Sequence, residues 1–286
     1  MAFPSVPRSV LVTGCSTGIG EACARMLRDR GWTVYPTARR AGDLQALEAA
    51  GFTAIELDLA DSASVHAAAA KVLDLSDGQL GALVNNAGFG QPGAMEDLSR
   101  EALRYQFEVN VFGMQELTNQ FIPFFRERGR GRIVNVSSVV GRVALPFFGA
   151  YSASKFAMEA ISDVLRVELV DSGVAVSLIE PGPIITAFRA NAVEKTDEAI
   201  DTESSTFGDL YTREIQRRRD RQKKVGFVNK PPEAVGNKVI HALESSGPRR
   251  RYGVTPVAPY VNFVRRFAPT CFVDALFARS VRKKRG

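Results

Sequence analysis

Tyr151 and Lys155 are a pair of side chains that fit proton-transfer chemistry. They lie four positions apart in the segment YSASK, so a helix would make them neighbours on one face. A tyrosine hydroxyl normally has a pKa of about 10, and a neighbouring ammonium group stabilises its phenolate. The pair therefore predicts a general acid or base at Tyr151. Such pairs also occur by chance on solvated helix faces, so this interpretation depends on the surrounding motifs.

The elements that must position this pair alternate between apolar, β-rich runs and longer helix-compatible stretches. This order predicts right-handed βαβ units and a doubly wound parallel sheet, a Rossmann-type α/β fold with three α/β/α layers. The runs are almost continuously apolar, which indicates strands buried on both sheet faces. We predict strands at 9–13, 33–38, 52–57, 82–86, 132–137 and 174–180, with a candidate last strand at 249–254.

The domain organisation follows from a change of pattern after Pro183. We expect residues 1–286 to form a single Rossmann-type domain with its cofactor-binding and catalytic core at 8–186. Residues 190–224 are polar and charged, which predicts a helical lid insert at 187–230 over the substrate. Residues 257–282 alternate apolar and basic residues at helical spacing, which predicts a basic helical extension at 255–286.

Cysteine content and hydropathy narrow the class of protein. Cys15, Cys23 and Cys271 show neither CxxC spacing nor a nearby histidine cluster, so we expect reduced thiols and no metal site. The sequence has no run of about 18 apolar residues and no basic leader before an apolar segment. We therefore expect a cytoplasmic protein.

Charge is concentrated at the end of the chain. The formal net charge is +6, but residues 248–286 contain ten arginines or lysines against Asp274 alone, which leaves −3 for the rest. A well-solvated surface is the favoured interpretation, and we expect no nucleic-acid partner. The apolar residues of this segment either contact an anionic membrane peripherally or cover the substrate cleft or a subunit partner. The second alternative is favoured, because aromatic stripes at helical spacing usually mark packing.

A glycine-rich turn follows the first predicted strand and precedes a helix pattern. It contains Gly14, Gly18 and Gly20 in the segment TGCSTGIG. Glycines permit a tight turn and close backbone approach, while the helix amino terminus can receive a pyrophosphate. The turn therefore predicts a dinucleotide site.

The end of the second strand discriminates between the two nicotinamide dinucleotides. An acidic residue there would hydrogen-bond the ribose and repel a 2′-phosphate, but this sequence has Ala38, Arg39 and Arg40. Arg39 offers a planar guanidinium suited to phosphate oxygens. We therefore favour NADP(H) over NAD(H), with solvation of a helix start as the alternative role for both arginines.

Four motifs together resemble the short-chain dehydrogenase/reductase family, in particular its hydroxysteroid and retinol dehydrogenase branch. They are TGCSTGIG at 13–20, NNAG at 85–88, YSASK at 151–155 and PGPIIT at 181–186, in the family's order. The resemblance implies a catalytic group of Asn110, Ser138, Tyr151 and Lys155, with Ser137 as the less favoured serine. It also implies that Ser138 hydrogen-bonds the substrate oxygen and that Asn110 takes part in a proton relay through Lys155.

The same resemblance implies a set of cofactor-binding residues. Asp58 would contact the adenine end, and Thr186 would contact the nicotinamide carboxamide. The full set comprises Gly14, Ser16, Thr17, Gly18, Ile19, Gly20, Arg39, Asp58, Leu59, Asn86, Ala87, Gly88, Tyr151, Lys155, Pro181, Gly182, Ile184 and Thr186.

Apolar residues near the catalytic motif predict an apolar substrate. The predicted substrate contacts are Ser138, Val140, Leu145, Phe148, Tyr151 and Phe188, and Phe147 and Phe207 add to the aromatic cluster. We expect hydride transfer between NADP(H) and an alcohol, ketone or aldehyde on a steroid, retinoid or long-chain lipid. A non-catalytic NADP(H) sensor is the alternative, although it would not need the four catalytic residues together. The resemblance also implies a homodimer or homotetramer through the helices within 99–126 and 151–172.

Overall fold

A parallel sheet of seven strands forms the centre of the protein. The computed structural model describes residues 2–202, 204–213, 226 and 228–281. The strands are β1 (Ser9–Val12), β2 (Thr33–Ala38), β3 (Ile55–Glu56), β4 (Ala82–Asn85), β5 (Gly131–Val136), β6 (Val174–Glu180) and β7 (Arg251–Gly253). Their order across the sheet is β3-β2-β1-β4-β5-β6-β7, and all neighbouring pairs are parallel. The predicted doubly wound fold is confirmed.

Helices cover both faces of this sheet. They are α1 (Gly18–Asp29), α2 (Ala41–Ala49), α3 (Ser62–Leu75), α4 (Arg100–Phe107), α5 (Met114–Glu127), α6 (Gly149–Glu168), α7 (Phe188–Ala199), α8 (Glu233–Glu244), α9 (Val257–Phe267) and α10 (Thr270–Val281). A π-helical segment, Glu108–Gly113, joins α4 to α5, and a 3₁₀ turn, Val139–Gly141, follows β5. A further helical turn lies at 208–213.

The two faces of the sheet carry separate hydrophobic cores, as the sequence of β1 illustrates. Val10 and Val12 face the core that contains Leu27 of α1. Leu11 faces the opposite core, with Phe121 of α5. Alternate residues of one strand are thus buried on both sides, which is why the strand sequences are continuously apolar rather than alternating.

The order in which successive strands are added to the sheet reverses between β1 and β4, although all the strands stay parallel. These two strands are hydrogen-bonded neighbours although β2 and β3 intervene in the sequence. Ligands of open α/β sheets bind beyond the carboxyl ends of the strands at such a point. The predicted glycine turn, after β1, and the NNAG motif, at the end of β4, both lie there.

The third strand is much shorter than predicted. We expected residues 52–57, but only Ile55 and Glu56 form a ladder, opposite Thr37 and Ala38 of β2. Since β3 is at the edge of the sheet, it pairs on one side only, and the pairing reaches only the end of β2.

The segment predicted as a lid contains α7 and packs on the body. Tyr211 is 4% exposed, and its hydroxyl donates to Asp97 at 2.7 Å and accepts the backbone N–H of Ala94 at 2.7 Å. The basic run at 217–224 lies outside the described residues. The division into core, lid and extension stays a prediction.

The C-terminal extension leaves much of its apolar surface uncovered by the described part of the protein. It forms α9 and α10 with a break before Pro269, which lacks a backbone N–H for helix continuation. Several of its large apolar side chains point to solvent, with exposed fractions of 61% for Tyr260, 62% for Phe263 and 65% for Phe267, whereas Val261, Val264 and Phe277 are half-buried. The expectation that the extension covers the cleft or a subunit partner stays a prediction. Among the described helices, none has the length and apolar character to cross a bilayer.

Candidate active site

The turn between β1 and α1 has a geometry that requires glycine. Gly14 and Gly18 have φ angles of +69° and +67°, in the left-handed region. A Cβ on Gly14 would lie 2.8 Å from the Cα of Ala87, and one on Gly20 would overlap the carbonyl oxygen of Gly14. This close packing leaves the amino terminus of α1 accessible to a pyrophosphate, so the turn fits the dinucleotide expected from the sequence.

Replacing Gly20 with alanine is expected to lower the free energy of unfolding by about 3 kcal/mol, because the added Cβ would meet backbone that cannot move aside. We also expect the dissociation constant for NADPH to rise at least about tenfold, since the phosphate-binding turn must shift. Chemical denaturation and a fluorescence titration with NADPH measure the two effects.

Gly42→Ala is the matched control for this prediction. Gly42 lies in α2, and nothing is within 4 Å of the position of its added Cβ. Alanine favours helix more than glycine does, so this variant should be as stable as the parent or slightly more stable. Similar losses in both variants would contradict the interpretation of Gly20.

Asn86 holds the loop after β4 against the glycine turn. Its Nδ2 donates to the carbonyl oxygens of Thr13 at 2.9 Å and Gly14 at 3.0 Å. In return, the Oγ1 of Thr13 accepts the backbone N–H groups of Asn86 and Ala87, both at 2.9 Å. Thr13 opens the TGCSTGIG motif but was not among the predicted cofactor residues. Its hydroxyl keeps the two cofactor-facing loops in register.

The segment after β6 passes over the same turn. Thr186 lies beside Gly18. A Cβ added to Gly18 would be 3.1 Å from the Cγ2 of Thr186. The carbonyl oxygen of Pro181 accepts the N–H of Val139 at 2.9 Å, which ties this segment to the end of β5. Gly182 packs so closely on Thr255 that an added Cβ would overlap the threonine hydroxyl. Close packing thus fixes this segment on both sides.

The other predicted cofactor residues have different environments. Ser16 and Thr17 are exposed at the glycine turn. Ile19 is half-buried and packs on the first core, and Ile184 is 8% exposed in that core. The Leu59 side chain is buried in the second core. For Leu59 and Ile184, only the backbone is placed to contribute to a cofactor site.

Arg39 is exposed at the carboxyl end of β2, and two partners orient its guanidinium group. Nη1 donates to the hydroxyl of Tyr105 at 2.8 Å and lies 3.7 Å from Oδ2 of Asp58. The hydrogen bond to Tyr105, supported by the charge of Asp58, raises the pKa of Arg39. Sequence reasoning missed Tyr105, which is distant in sequence and carries no motif. The arginine is therefore held at the edge of the predicted adenosine site.

Tyr151 and Lys155 lie in the first two turns of α6 and are both buried, with 9% and 3% of their surfaces exposed. Lys155 Nζ donates to the carbonyl oxygen of Val136 at 2.9 Å and lies 5.8 Å from the centre of the Tyr151 ring. Burial lowers the pKa of Lys155 to about 8, although the charge of Glu159 opposes this shift. Burial raises the pKa of Tyr151, and a hydrogen bond with Ser138 opposes that rise.

Ser138 rather than Ser137 faces the tyrosine. Its hydroxyl hydrogen-bonds with the Tyr151 side chain and accepts the N–H of Val140 at 3.3 Å. Ser137 is 3% exposed and is directed to the other side, towards Glu159. The alternation of side chains at the end of β5 explains this difference, because successive residues of extended backbone point to opposite sides.

Asn110 lies in the π-helical segment between α4 and α5 and is fully buried. Its Nδ2 donates to the carbonyl oxygen of Phe89 at 2.9 Å and to the Ser154 hydroxyl at 3.1 Å, and its Oδ1 accepts the Phe89 N–H at 3.1 Å. Ser154 is adjacent to Lys155 in the chain. A π-helical turn often occurs at functional sites. Here it places the Asn110 side chain beside Gly88 and towards the part of α6 that carries Lys155.

The predicted substrate residues divide into two sets. Phe148 and Phe188 flank the catalytic tyrosine, with ring centres 6.2 Å and 5.3 Å from that of Tyr151. Val140 is 7% exposed, and Leu145 is half-buried on the same loop.

The rings of Phe147 and Phe207 contact each other. Their ring centres are 5.5 Å apart, and Phe147 also contacts Tyr211 in a satellite core. The two rings thus pack in the satellite core, and their contribution to the substrate pocket stays a prediction.

A buried charge cluster behind Lys155 is absent from the sequence-based site. Glu159, 4% exposed, accepts from Nη2 of Arg251 at 2.9 Å. The same guanidinium group donates to Glu180 at 3.1 Å and Asp163 at 2.8 Å. The only sequence signal was a carboxylate four positions after Lys155. Arg251 comes from β7, almost a hundred residues later, so only the sheet topology shows the connection.

A family model described as short chain dehydrogenase matches residues 8–197. The chain belongs to the short-chain dehydrogenase/reductase family. The matched range contains the glycine turn, Asn110, Ser138, Tyr151 and Lys155 in the arrangement just described. The protein is therefore an oxidoreductase acting on CH–OH groups.

Curated relatives support the predicted branch. The chain is 40% identical over 269 residues to the uncharacterized oxidoreductase YbbO of Escherichia coli, covering 94% of this chain and 93% of that protein. It is 36% identical to the 17-beta-hydroxysteroid dehydrogenase type 6 of Rattus norvegicus, covering 96% and 89%. It is 33% identical to retinol dehydrogenase 8 of Homo sapiens, covering 86% and 81%. The predicted resemblance to the hydroxysteroid and retinol dehydrogenase branch is confirmed.

Two solved structures show the range of cofactors in the family. A short-chain dehydrogenase/reductase from Burkholderia phymatum in complex with NAD is 25% identical with a TM-score of 0.75, covering 100% of this chain and 99% of that one. A short-chain dehydrogenase from Burkholderia cenocepacia in complex with NADP is 25% identical with a TM-score of 0.71, covering 99% and 100%. Family membership alone therefore does not decide between the two dinucleotides.

Proposed function

We propose that this enzyme transfers hydride between NADP(H) and a secondary alcohol and ketone, or an alcohol and aldehyde, on an apolar substrate. The observation that carries the proposal is the buried Tyr151, which contacts Ser138 and lies near Lys155 while Phe148 and Phe188 flank its ring. A proton-transfer group is thus flanked by apolar side chains.

The proton chemistry is assigned to the protein's own side chains. Tyr151 donates its phenolic proton to the carbonyl oxygen in reduction and takes the proton back from the hydroxyl in oxidation. Ser138 hydrogen-bonds the same substrate oxygen, whose negative charge grows in the transition state. Lys155 stabilises the phenolate by its charge, and Asn110 fixes the Phe89 loop and the Ser154 side of α6. Bound NADP(H) would supply or accept the hydride.

The substrate class follows from the surroundings of the tyrosine. The flanking side chains Phe148 and Phe188, together with Val140 and Leu145, offer carbon rather than hydrogen-bonding groups. Such a wall favours a steroid, a retinoid or a long-chain lipid over a sugar. Relatives named for 17-beta-hydroxysteroids and retinol support this choice.

A spectrophotometric screen tests the proposal. Purified protein is mixed with NADPH or NADH and a panel of apolar ketones and aldehydes that includes steroids and retinal, with sugars as polar controls. We expect substrate-dependent loss of the reduced-nicotinamide absorbance with NADPH and an apolar carbonyl. Preference for sugars would contradict the proposed pocket. Tight NADPH binding without turnover on any carbonyl would favour the NADP(H) sensor instead.

Arg39→Met is expected to raise the KM for NADPH by about ten- to a hundredfold and to leave the KM for NADH nearly unchanged, because a charge-assisted hydrogen bond to phosphate is lost. Arg40→Met is the matched control, since Arg40 is also exposed at the start of α2. We expect a smaller effect there. Steady-state kinetics with each cofactor measure both. Equal losses with NADPH and NADH in the Arg39 variant would contradict the assignment of Arg39 to the 2′-phosphate.

A further inference from the structure

The two C-terminal helices, α9 and α10, present a series of large apolar side chains to solvent. We call this series the tail face. Three of its members, Tyr260, Phe263 and Phe267, lie at helical spacing on α9, and the ring centres of the last two are 5.0 Å apart. The tail face consists of Tyr260, Phe263, Phe267, Phe272 and Leu276, which are 61%, 62%, 65%, 56% and 45% exposed. Contiguous exposed aromatic surface usually marks an interaction site.

The body of the protein anchors the start of α9. Ala258 is 1% exposed, and its N–H donates to the carbonyl oxygen of Thr255, itself packed on Gly182. Beyond that anchor Val261 and Val264 are half-buried, whereas the side that carries the tail face is exposed. In α10 every side chain that the structure describes is exposed or half-buried. The tail face is therefore oriented by the fold but not covered by it.

The net charge of the C-terminal segment indicates what kind of partner covers the tail face. Residues 257–286 contain seven arginines or lysines and one acidic residue, Asp274, a net charge of +6. Arg266 is exposed beside the Phe267 ring, with its Cζ 5.8 Å from the ring centre. A second copy of this chain docked on the same face would bring two such positive segments together, which is unfavourable. An anionic partner is favourable.

We propose that the tail face binds the surface of an anionic lipid membrane. Phenylalanine, tyrosine and leucine side chains would enter the boundary between headgroups and acyl chains, while the basic residues would contact lipid phosphates. This combination of an apolar face and cationic flanks is the composition of interfacial helices. A nucleic acid could use the charge and stack on aromatic rings, but it offers no apolar environment for Leu276.

The position of α9 gives this contact a consequence for the active site. The helix packs against the 3₁₀ turn Val139–Gly141, which directly follows Ser138. Membrane contact would place the substrate side of the sheet near the lipid phase, where an apolar alcohol or ketone partitions. This consequence rests on the proposed function, whereas the lipid binding itself does not.

Vesicle co-sedimentation of the full-length protein tests the proposal without any enzymatic readout. The vesicles are phosphatidylcholine alone or phosphatidylcholine mixed with phosphatidylglycerol, at low and high salt. We expect binding to the mixed vesicles only, weakened by salt because screening reduces the attraction to charged lipid. Phe263→Ser combined with Phe267→Ser should reduce binding at least about tenfold, since two inserted rings are lost.

A matched leucine pair controls for a general loss of apolar surface. Leu276 in α10 and Leu75 in α3 are 45% and 42% exposed. Leu276→Ser should weaken vesicle binding, and Leu75→Ser should not. Thermal unfolding confirms that each variant is folded.

Three results would overturn the proposal. The first is no sedimentation of the parent protein with anionic vesicles at low salt. The second is equal sedimentation of the Phe263 and Phe267 variant, which would mean that charge alone adsorbs the protein. The third is self-association or nucleic-acid binding through the tail face without vesicle binding. Failure of the carbonyl screen together with retained vesicle binding would contradict the proposed function and leave this inference intact.

Discussion

Tyr151→Phe is expected to reduce kcat by roughly a thousandfold, because general acid–base catalysis contributes about 10²- to 10⁴-fold and the substitution removes the proton that Tyr151 transfers. The substitution removes only the hydroxyl group. The ring keeps its packing against Phe148 and Phe188, whose centres lie 6.2 Å and 5.3 Å away. We therefore expect the dissociation constant for NADPH to stay within about threefold of the parent value. Stopped-flow turnover and fluorescence titration measure the two quantities.

Tyr211→Phe is the control for loss of a buried tyrosine hydroxyl. Tyr211 is 4% exposed and hydrogen-bonded to Asp97 and to the N–H of Ala94, but it lies in the satellite core. Its substitution should lower the free energy of unfolding by about 1–3 kcal/mol with little change in kcat. If Tyr151→Phe kept the parent kcat, Tyr151 could not be the proton donor. If Tyr211→Phe lost as much activity as Tyr151→Phe, the effect would be structural.

Lys155→Met is expected to lower kcat by about 10²-fold or more, since the phenolate of Tyr151 loses its neighbouring positive charge. The same substitution should not lower the free energy of unfolding at neutral pH. Burial lowers the pKa of Lys155 to about 8 from its ordinary value of 10.5, so the folded state holds an ammonium group that is better solvated in the unfolded chain. Removing an unfavourable buried charge offsets the lost hydrogen bond to Val136.

The pH dependence of stability tests this explanation of Lys155. Between pH 8 and pH 10.5 the unfolded state retains the lysine proton that the folded state has released. Stability of the parent protein therefore rises with pH in this window relative to Lys155→Met. Burial raises the pKa of the folded Tyr151 above this window in both proteins, and the unfolded tyrosine titrates alike in both, so its titration cancels in the difference. Denaturant unfolding at a series of pH values measures the effect, and a difference that does not change with pH would contradict the assigned pKa.

Glu159 shows why the proton chemistry at Lys155 could not be derived in full from the sequence. Its charge opposes the lowering of the Lys155 pKa, and Arg251 holds it in place from β7. The four-residue spacing from Lys155 was visible, but a glutamate at that spacing is more often solvated. The pairing of β6 with β7 brings Arg251 to the carboxylate, and Arg142 lies 3.8 Å from it as well.

The sequence by itself determined the elements whose information is local. Continuous apolar runs predicted the strands because both sheet faces are buried, and the glycine turn was recognisable because positive φ angles and backbone contact require glycine at Gly14, Gly18 and Gly20. The four motifs then predicted the family, and the Tyr151–Lys155 spacing predicted a shared helix face.

Tertiary structure decided the features that depend on which distant surfaces meet. Tyr105 reaches Arg39, and Arg251 reaches Glu159, across sequence separations that carry no pattern. Phe147 packs in the satellite core, whereas the ring of its neighbour Phe148 lies beside Tyr151. The tail helices have the amphipathic pattern of a packed element, yet the described part of the fold leaves the tail face exposed. Helical periodicity predicts that a face is apolar, but the rest of the molecule determines what that face contacts.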